Sequence, residues 1–297
     1  MGLRLNPTQR QRRLGIELRK LRDASGMNAA AAGAIAGLGP QHLGHIETGR
    51  TGIPEAKLRA LLHGYGCEHQ TKVEALVAMS ESSGKGWWSN YRKSVIPQAS
   101  RDLVELEAYS ATHRTFQWVH IPGLLQTTDY MRTLFEGAQP DASPAEIDTL
   151  VEFRTNRQRV LDGDSPITLH AVIHEAALRM RFANAGIMRR QIEHLTSMAR
   201  LPHVQIQILP FETTAYPAGF GAPFVLFDHA VPELGTTYVE QPVASPFITD
   251  QARYATFAET FEGLTAAALP PIDPDPEPEF YKKRDSLSLI QHVLYTL

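Results

Sequence analysis

Residues 40–48 carry three side chains that could hydrogen-bond to the edges of DNA bases: Gln41, His42 and His45. A glutamine can pair bidentately with adenine, and a histidine can donate to the acceptors of guanine. On a helix these three positions share one side, while Leu43 and Ile46 lie on the other. The spacing therefore predicts a short helix that is packed through its apolar side and enters the major groove through its polar side.

Two alternatives exist for these histidines. They could be ordinary polar residues on the surface of a helical hairpin, or they could be a metal-binding pair. A zinc site needs further ligands, and no other Cys or His lies close to His42 and His45 in the sequence. We therefore expect no metal and no cofactor at this segment.

The flanking segments predict five helices, at residues 10–25, 29–36, 40–48, 54–63 and 70–81. Asn28 can cap the second helix and Gly37 can end it. Pro40 suits the first turn of the third helix, because a proline lacks the N–H that is unsatisfied there. The pattern predicts an all-α helix-turn-helix domain of five helices over residues 1–81.

Charge is distributed unevenly along the chain. Residues 1–63 carry ten Lys or Arg and four Asp or Glu, which gives a formal charge of +6. The remaining residues carry 19 Lys or Arg and 28 Asp or Glu, which gives a formal charge of −9. A basic module at one end of an acidic chain indicates a polyanionic partner at that end. The side chains that we predict to contact DNA phosphates are Asn28, Arg50, Arg13 and Lys57.

Residues 27–50 resemble the lambda-repressor-like, xenobiotic-response-element (XRE) family of regulators. The likeness is carried by apolar Leu43 and by the ending Ile46-Glu47-Thr48-Gly49-Arg50. It implies that Glu47 is structural and that Arg50 faces backbone phosphate. The family usually has Gln at the position of Ala29 and Leu at the positions of Ala32 and Ala36, so one phosphate contact of the family is expected to be missing.

The chain after residue 81 changes character. Residues 82–101 predict a joint between domains, in which Trp87 and Trp88 pack onto protein because two exposed tryptophans would form an adhesive patch. Residues 102–297 predict a larger mixed α/β domain for regulation or partner binding. Its predicted strands are 116–120, 167–174, 204–209, 223–228 and 236–241, and its longer predicted helices are 101–112, 127–136, 144–162, 186–200 and 249–268. A proline-rich linker at 270–279 and a docking helix at 280–297 complete it.

The larger domain offers little catalytic chemistry, because it has no dinucleotide loop, phosphate-binding loop or nucleophile elbow. His170 and His174 lie four residues apart on a predicted strand, either as satisfied strand histidines or as a metal or acid–base pair, and Glu175 is expected to start a helix. Arg154, Arg157 and Arg159 on one helix indicate either a solvated face or a site for an anionic partner. Aromatic residues near glycines and prolines form either core or a ligand pocket, namely Tyr216, Phe220, Phe224 and Tyr238.

Residues 85–297 resemble the C-terminal domain of an actinomycete regulator family described as toxin–antitoxin-like or developmental. The likeness lies in Gly86-Trp87-Trp88, in the segments IPGLLQTTDY at 121–130 and EAALR at 175–179, and in HVQIQILPF at 203–211. It implies modulation by a small partner protein encoded nearby.

The sequence thus predicts a transcription regulator that binds double-stranded DNA as a homodimer, with activity modulated through its C-terminal domain by a small partner protein or ligand. It is expected not to be an enzyme, and the alternative is an antitoxin-like module whose main role is to hold a small partner protein. The single cysteine and the lack of an apolar run of membrane-spanning length predict a cytoplasmic location, with nucleoid association when DNA is bound.

Overall fold

The computed structural model describes residues 3–213, 221–241, 245–275 and 284–297. The chain folds into two compact units. The first contains residues 1–90 and 97–106, and the second contains residues 91–96 and 107–297. The domain boundaries at residues 81 and 101 stay predictions.

The first unit is helical, and the prediction of five helices is confirmed. The helices are α1 (Gln9–Ala24), α2 (Ala29–Ile35), α3 (Pro40–Glu47), α4 (Glu55–Gly64) and α5 (Gln70–Ser80). As predicted, the Asn28 side chain caps α2 and Pro40 occupies the first turn of α3. Gly37 has a φ of 60°, a left-handed conformation that glycine adopts without strain, so the chain can turn sharply between α2 and α3.

The packing of α1 against α3 depends on a close backbone approach at Gly15. A Cβ atom at this position would lie 2.4 Å from the carbonyl oxygen of Glu47. The two helices can therefore approach this closely only because residue 15 has no side chain. Within the same unit, a short 3-10 helix at Trp87–Asn90 buries Trp88, whose carbonyl accepts a hydrogen bond from Arg101.

The second unit is built on a mixed sheet, which confirms the predicted α/β class. Its strands are β1 (Thr112–Gln117), β2 (Thr168–His174), β3 (Val204–Leu209), β4 (Phe224–Asp228), β5 (Thr236–Val239) and β6 (Phe247–Ile248). Their order is β3-β2-β1-β4-β5-β6, with β1, β2 and β3 parallel and the remaining pairs antiparallel. The strand expected at 116–120 is displaced, because pairing with β2 begins at Thr112 and ends at Gln117.

The remaining helices are α6 (Gln98–Tyr109), which the division between units crosses, and α7 (Thr128–Ala138), α8 (Pro144–Gln158), α9 (Glu175–Arg179), α10 (Ala185–Met198), α11 (Gln251–Ala267) and α12 (Ser286–Tyr295) of the second unit. Of these, α11 and α12 pack against strands of the sheet. One apolar cluster includes Ile192 and Leu195 of α10, and a second includes Phe261 of α11 with Phe116 and Phe224 of the sheet. No helix in the described ranges is both long and apolar enough to cross a membrane.

The described part of the proline-rich linker predicted at 270–279, residues 270–275, packs against the second unit. Ile272 is buried, and its N–H donates to the carbonyl of Ile206 at 2.8 Å. Leu269 donates in the same way to Ile208 at 2.9 Å. The segment thus covers the outer edge of β3, and the buried Ile290 and Val293 of α12 belong to the same core.

Candidate nucleic-acid interface

The two sides of α3 differ sharply in exposure. Leu43 is fully buried and Ile46 is 2% exposed, so the apolar side is packed into the unit. On the other side Gln41 and His42 are exposed and His45 is half-buried. The structure therefore presents the three predicted base-reading side chains together on the accessible side of the helix.

A recess of about 490 Å³ connects these side chains with their surroundings. Gln41, His42 and His45 line it together with Leu38 before α3 and with Pro54 and Lys57 after it. Polar groups in such a recess can hydrogen-bond to base edges, and apolar groups such as Leu38 can contact the methyl group of thymine. The recess therefore carries side chains of both kinds that can contact base edges.

Three of the four predicted phosphate contacts lie on accessible surface. Arg50 is exposed, and it forms no ion pair or side-chain hydrogen bond with any described residue. Within the part of the chain that the structure describes, Lys57 donates only to the carbonyl of Gly37, at 3.3 Å. The side-chain oxygen of Asn28 caps Ala30 and Ala31 at 3.1 and 2.9 Å, while its amide group belongs to an exposed residue and can donate outward.

The predicted phosphate contact of Arg13 is contradicted. Its side chain is 3% exposed and lies 3.1 Å from the carboxylate of Glu17 on the same helix. Burial lowers the pKa of Arg13, and the Glu17 carboxylate opposes that shift. A side chain enclosed in this way cannot reach a DNA backbone, so Arg13 has a structural role.

Two arginines that contact α3 or the residues after it were not among the site residues predicted from the sequence. Arg22 of α1 forms a forked ion pair with Glu47, with distances of 2.6 and 3.1 Å, which agrees with the structural role implied for Glu47. Arg4 donates from its backbone N–H to the carbonyl of Arg50 at 2.7 Å and from its guanidinium to that of Gly49 at 3.1 Å. Both arginines contact residues that are distant in sequence. The only feature of the sequence that could have indicated these contacts is the positive charge of Arg4 and of Arg22.

In the second unit, the histidines of β2 have structural partners. The imidazole of His170 lies 2.7 Å from the side-chain oxygen of Gln207 and packs edge-on against Phe261. His174 caps α9 by accepting from the N–H of Ala176 at 3.1 Å. These contacts are those of satisfied strand histidines, and Glu175 begins α9 as expected.

The arginines of α8 do not form a solvated face. Arg157 is 12% exposed and forms an ion pair with Glu107, whose side chain is fully buried. Burial raises the pKa of Glu107, and the positive charge of Arg157 opposes that shift. Arg154 is half-buried and donates to the side-chain oxygen of Gln126 at 2.6 Å, whereas Arg159, at the end of the helix, is exposed.

Comparison with protein families assigns both parts of the chain. Residues 13–76 match the family described as "Helix-turn-helix domain", and residues 100–273, more than half of the chain, match that described as "Domain of unknown function (DUF5753)". The chain belongs to the DUF5753 family. No curated protein and no solved structure matched it. The helix-turn-helix match and the exposed side of α3 together indicate a DNA-binding regulator.

Of the four aromatic residues expected to form either core or a ligand pocket, two are described. Phe224 belongs to the core, where it is fully buried against Phe116, Phe257 and Phe261. Tyr238 is half-buried and packs against Phe247. Tyr216 and Phe220 lie outside the described residues.

Proposed function

We propose that the protein is a sequence-specific transcription regulator of the XRE type that inserts α3 into the major groove of double-stranded DNA. Gln41, His42 and His45 read base edges. The observation that carries this assignment is that the polar side of α3 is accessible while its apolar side is anchored in the core. In helix-turn-helix proteins the N-terminal part of the second helix contacts the bases.

The contacts to the DNA backbone come from outside α3. Arg50 and Lys57 follow the helix in sequence, and Asn28 lies at the start of α2. Such contacts fix the orientation of a protein on DNA and contribute affinity without sequence preference. Different residues thus recognise the bases and contact the DNA backbone.

This division can be tested by measuring binding to a footprinted operator and to a random duplex of equal length. Gln41→Ala is expected to lower operator affinity by about ten- to a hundredfold and to leave random DNA unchanged, since a bidentate base contact gives about 1–3 kcal/mol of discrimination. Gln70→Ala, which removes an exposed glutamine from α5, is the matched control. Equal losses on both duplexes would contradict base reading by Gln41.

Arg50→Ala is expected to weaken binding to both duplexes and to lower the salt dependence of binding by about one released counterion. Arg132→Ala removes an arginine of α7 whose side chain is 43% exposed, and it controls for the change in net charge. An unchanged salt dependence in the Arg50 variant would exclude the phosphate contact.

The regulator acts as a homodimer in this proposal, because one recognition helix reads only a few base pairs and two are needed for useful affinity. Sedimentation of the full chain with and without operator DNA tests the dimer.

The DUF5753 domain serves regulation through a small partner protein or ligand rather than catalysis. Co-purification of a small protein, with no salt-dependent binding to DNA, would favour the antitoxin-like alternative.

A further inference from the structure

The segment before α1 contacts the turn that follows α3. The backbone N–H of Arg4 donates to the carbonyl of Arg50 at 2.7 Å, and its Nη1 donates to the carbonyl of Gly49 at 3.1 Å. A Cβ atom at Gly52 would lie 3.2 Å from Nη2 of Arg4, so the guanidinium also lies against that glycine. Arg4 is thus fixed, by its backbone and by its side chain, to the turn that carries Arg50.

The same segment lies on the recognition side of the helix-turn-helix unit. Leu3, the neighbour of Arg4, lines the recess of α3 together with Gln41 and His45. Thr51, which belongs to the turn that Arg4 contacts, lines this recess as well. A duplex whose bases contact Gln41 would therefore lie close to this segment and to the turn.

The charge of Arg4 is not neutralised by any described residue. Arg4 forms no ion pair in the described ranges, and its only side-chain hydrogen bond there is the one to the carbonyl of Gly49. Burial lowers the pKa of Arg4, and no charge of the described residues opposes that shift. Arg22 of the same unit differs, since the carboxylate of Glu47 pairs with it at 2.6 Å.

Two guanidinium groups without counterions thus belong to backbone segments that are joined by a hydrogen bond. Arg50 is exposed and forms no ion pair with any described residue. Nε and Nη2 of Arg4 form no hydrogen bond in the described part of the chain, and both keep access to solvent. Neighbouring like charges repel each other, and an anion that contacts both removes this repulsion. The planar fork of an arginine fits the oxygens of a phosphate, so a phosphate diester is the anion that suits this pair.

We propose that Arg4 binds a phosphate of the DNA backbone, beside the phosphate that Arg50 binds. Nη1 stays on the carbonyl of Gly49 and keeps the side chain in place, while Nε and Nη2 donate to the phosphate oxygens. The inference rests on the proposed function, since its ligand is the duplex that α3 enters. The competing interpretation is that Arg4 only holds the turn in position for Arg50.

The test is the salt dependence of binding of the full chain to the footprinted operator, measured by fluorescence anisotropy from about 50 to about 200 mM salt. Arg4→Gln is expected to lower the slope of log K against log salt by about 0.9, the value for one phosphate contact, and to weaken binding about three- to tenfold. Arg4→Lys retains the charge and is expected to keep the slope. Arg132→Gln makes the same change of charge on α7 and is expected to keep it too. A thermal melt of each variant confirms that it is folded.

A double variant separates phosphate binding from positioning of the turn. If Arg4 itself contacts phosphate, Arg4→Gln lowers the slope by about 0.9 in the Arg50→Ala chain as well. If Arg4 acts only by holding the turn for Arg50, Arg4→Gln leaves the slope of the Arg50→Ala chain unchanged, and the proposal is overturned.

Neutral methylphosphonate groups, placed singly along the footprint, locate the contact on the DNA. The unsubstituted chain is expected to lose affinity at one phosphate where Arg4→Gln loses none, and at a neighbouring phosphate where Arg50→Ala loses none. Absence of any phosphate that depends on Arg4 would overturn the proposal. A chain that binds no duplex in a salt-dependent manner would refute the proposed function itself. An unchanged slope for Arg4→Gln, in a chain that loses its preference for the operator through Gln41→Ala, would refute only the role of Arg4.

Discussion

Removal of Glu47 tests whether a buried charge pair sets the position of α3. Glu47→Ala deletes both carboxylate contacts to Arg22, whose side chain is only 12% exposed, and leaves that guanidinium with the carbonyl of Met27 and with Asp23. Breaking one partner of a fully buried pair costs about 3–5 kcal/mol. Because Asp23 is itself exposed and remains available, we expect a loss of about 2–3 kcal/mol for the helix-turn-helix unit.

Hydrogen exchange is the suitable assay, since it reports the stability of each helix separately in a chain of two units. A loss of this size corresponds to exchange about 30- to 150-fold faster for the core amides of α1 and α3. Glu55→Ala removes an exposed carboxylate on α4 and is expected to leave exchange unchanged. The double variant Arg22→Met with Glu47→Leu removes both charges and should recover most of the protection. If Glu47→Ala behaves like Glu55→Ala, the pair does not hold α3 and the reasoning fails.

Three further predictions concern stability. Gly15→Ala is expected to destabilise the first unit, because the added Cβ would lie 2.4 Å from the backbone oxygen of Glu47. This clash is expected to outweigh the helix propensity of alanine, which exceeds that of glycine by about 1 kcal/mol. A higher melting temperature of the variant would contradict this close contact. Asn28→Ala should cost about 1 kcal/mol through loss of the α2 cap, seen as faster exchange at Ala30 and Ala31. Burial lowers the pKa of His113 to about 3, so the unfolded chain binds this proton below about pH 6.5 while the folded chain does not. His113 should therefore lower stability by up to about 1.4 kcal/mol per pH unit as the pH falls from about 6.5 to about 3, and His113→Leu should show a shallower pH profile in urea titrations over this range.

The helices of the first unit could be predicted because their signals are local. Caps such as Asn28, the proline at position 40 and the glycine at position 37 act within a few residues of where they stand. The same holds for the outer side of α3, since a helix that buries Leu43 and Ile46 must turn Gln41 and His42 outward.

Contacts between distant segments could not be predicted in this way. Arginine is normally exposed, which predicts a phosphate contact for Arg13, but its place on α1 turns it inward beside Glu17. The ion pair of Arg157 on α8 could not be predicted for the same reason, since its partner Glu107 lies 50 residues away and no local pattern connects the two. The displacement of β1 has a related cause, because its bounds are set by pairing with β2 and β4 rather than by its own alternation.

The types of side chain on and after α3 bear on how such a protein would find its binding site on DNA. The outer side of α3 carries an amide and two imidazoles but no Lys or Arg, while the cations Arg50 and Lys57 lie after the helix. Electrostatic attraction to phosphates does not depend on base sequence, whereas bidentate hydrogen bonds from a glutamine side chain discriminate between bases. Under the proposed function, affinity for DNA in general can therefore change through Arg50 or Lys57 without altering the preferred sequence. The preferred sequence can likewise change through α3 without altering how strongly the unit is attracted to DNA.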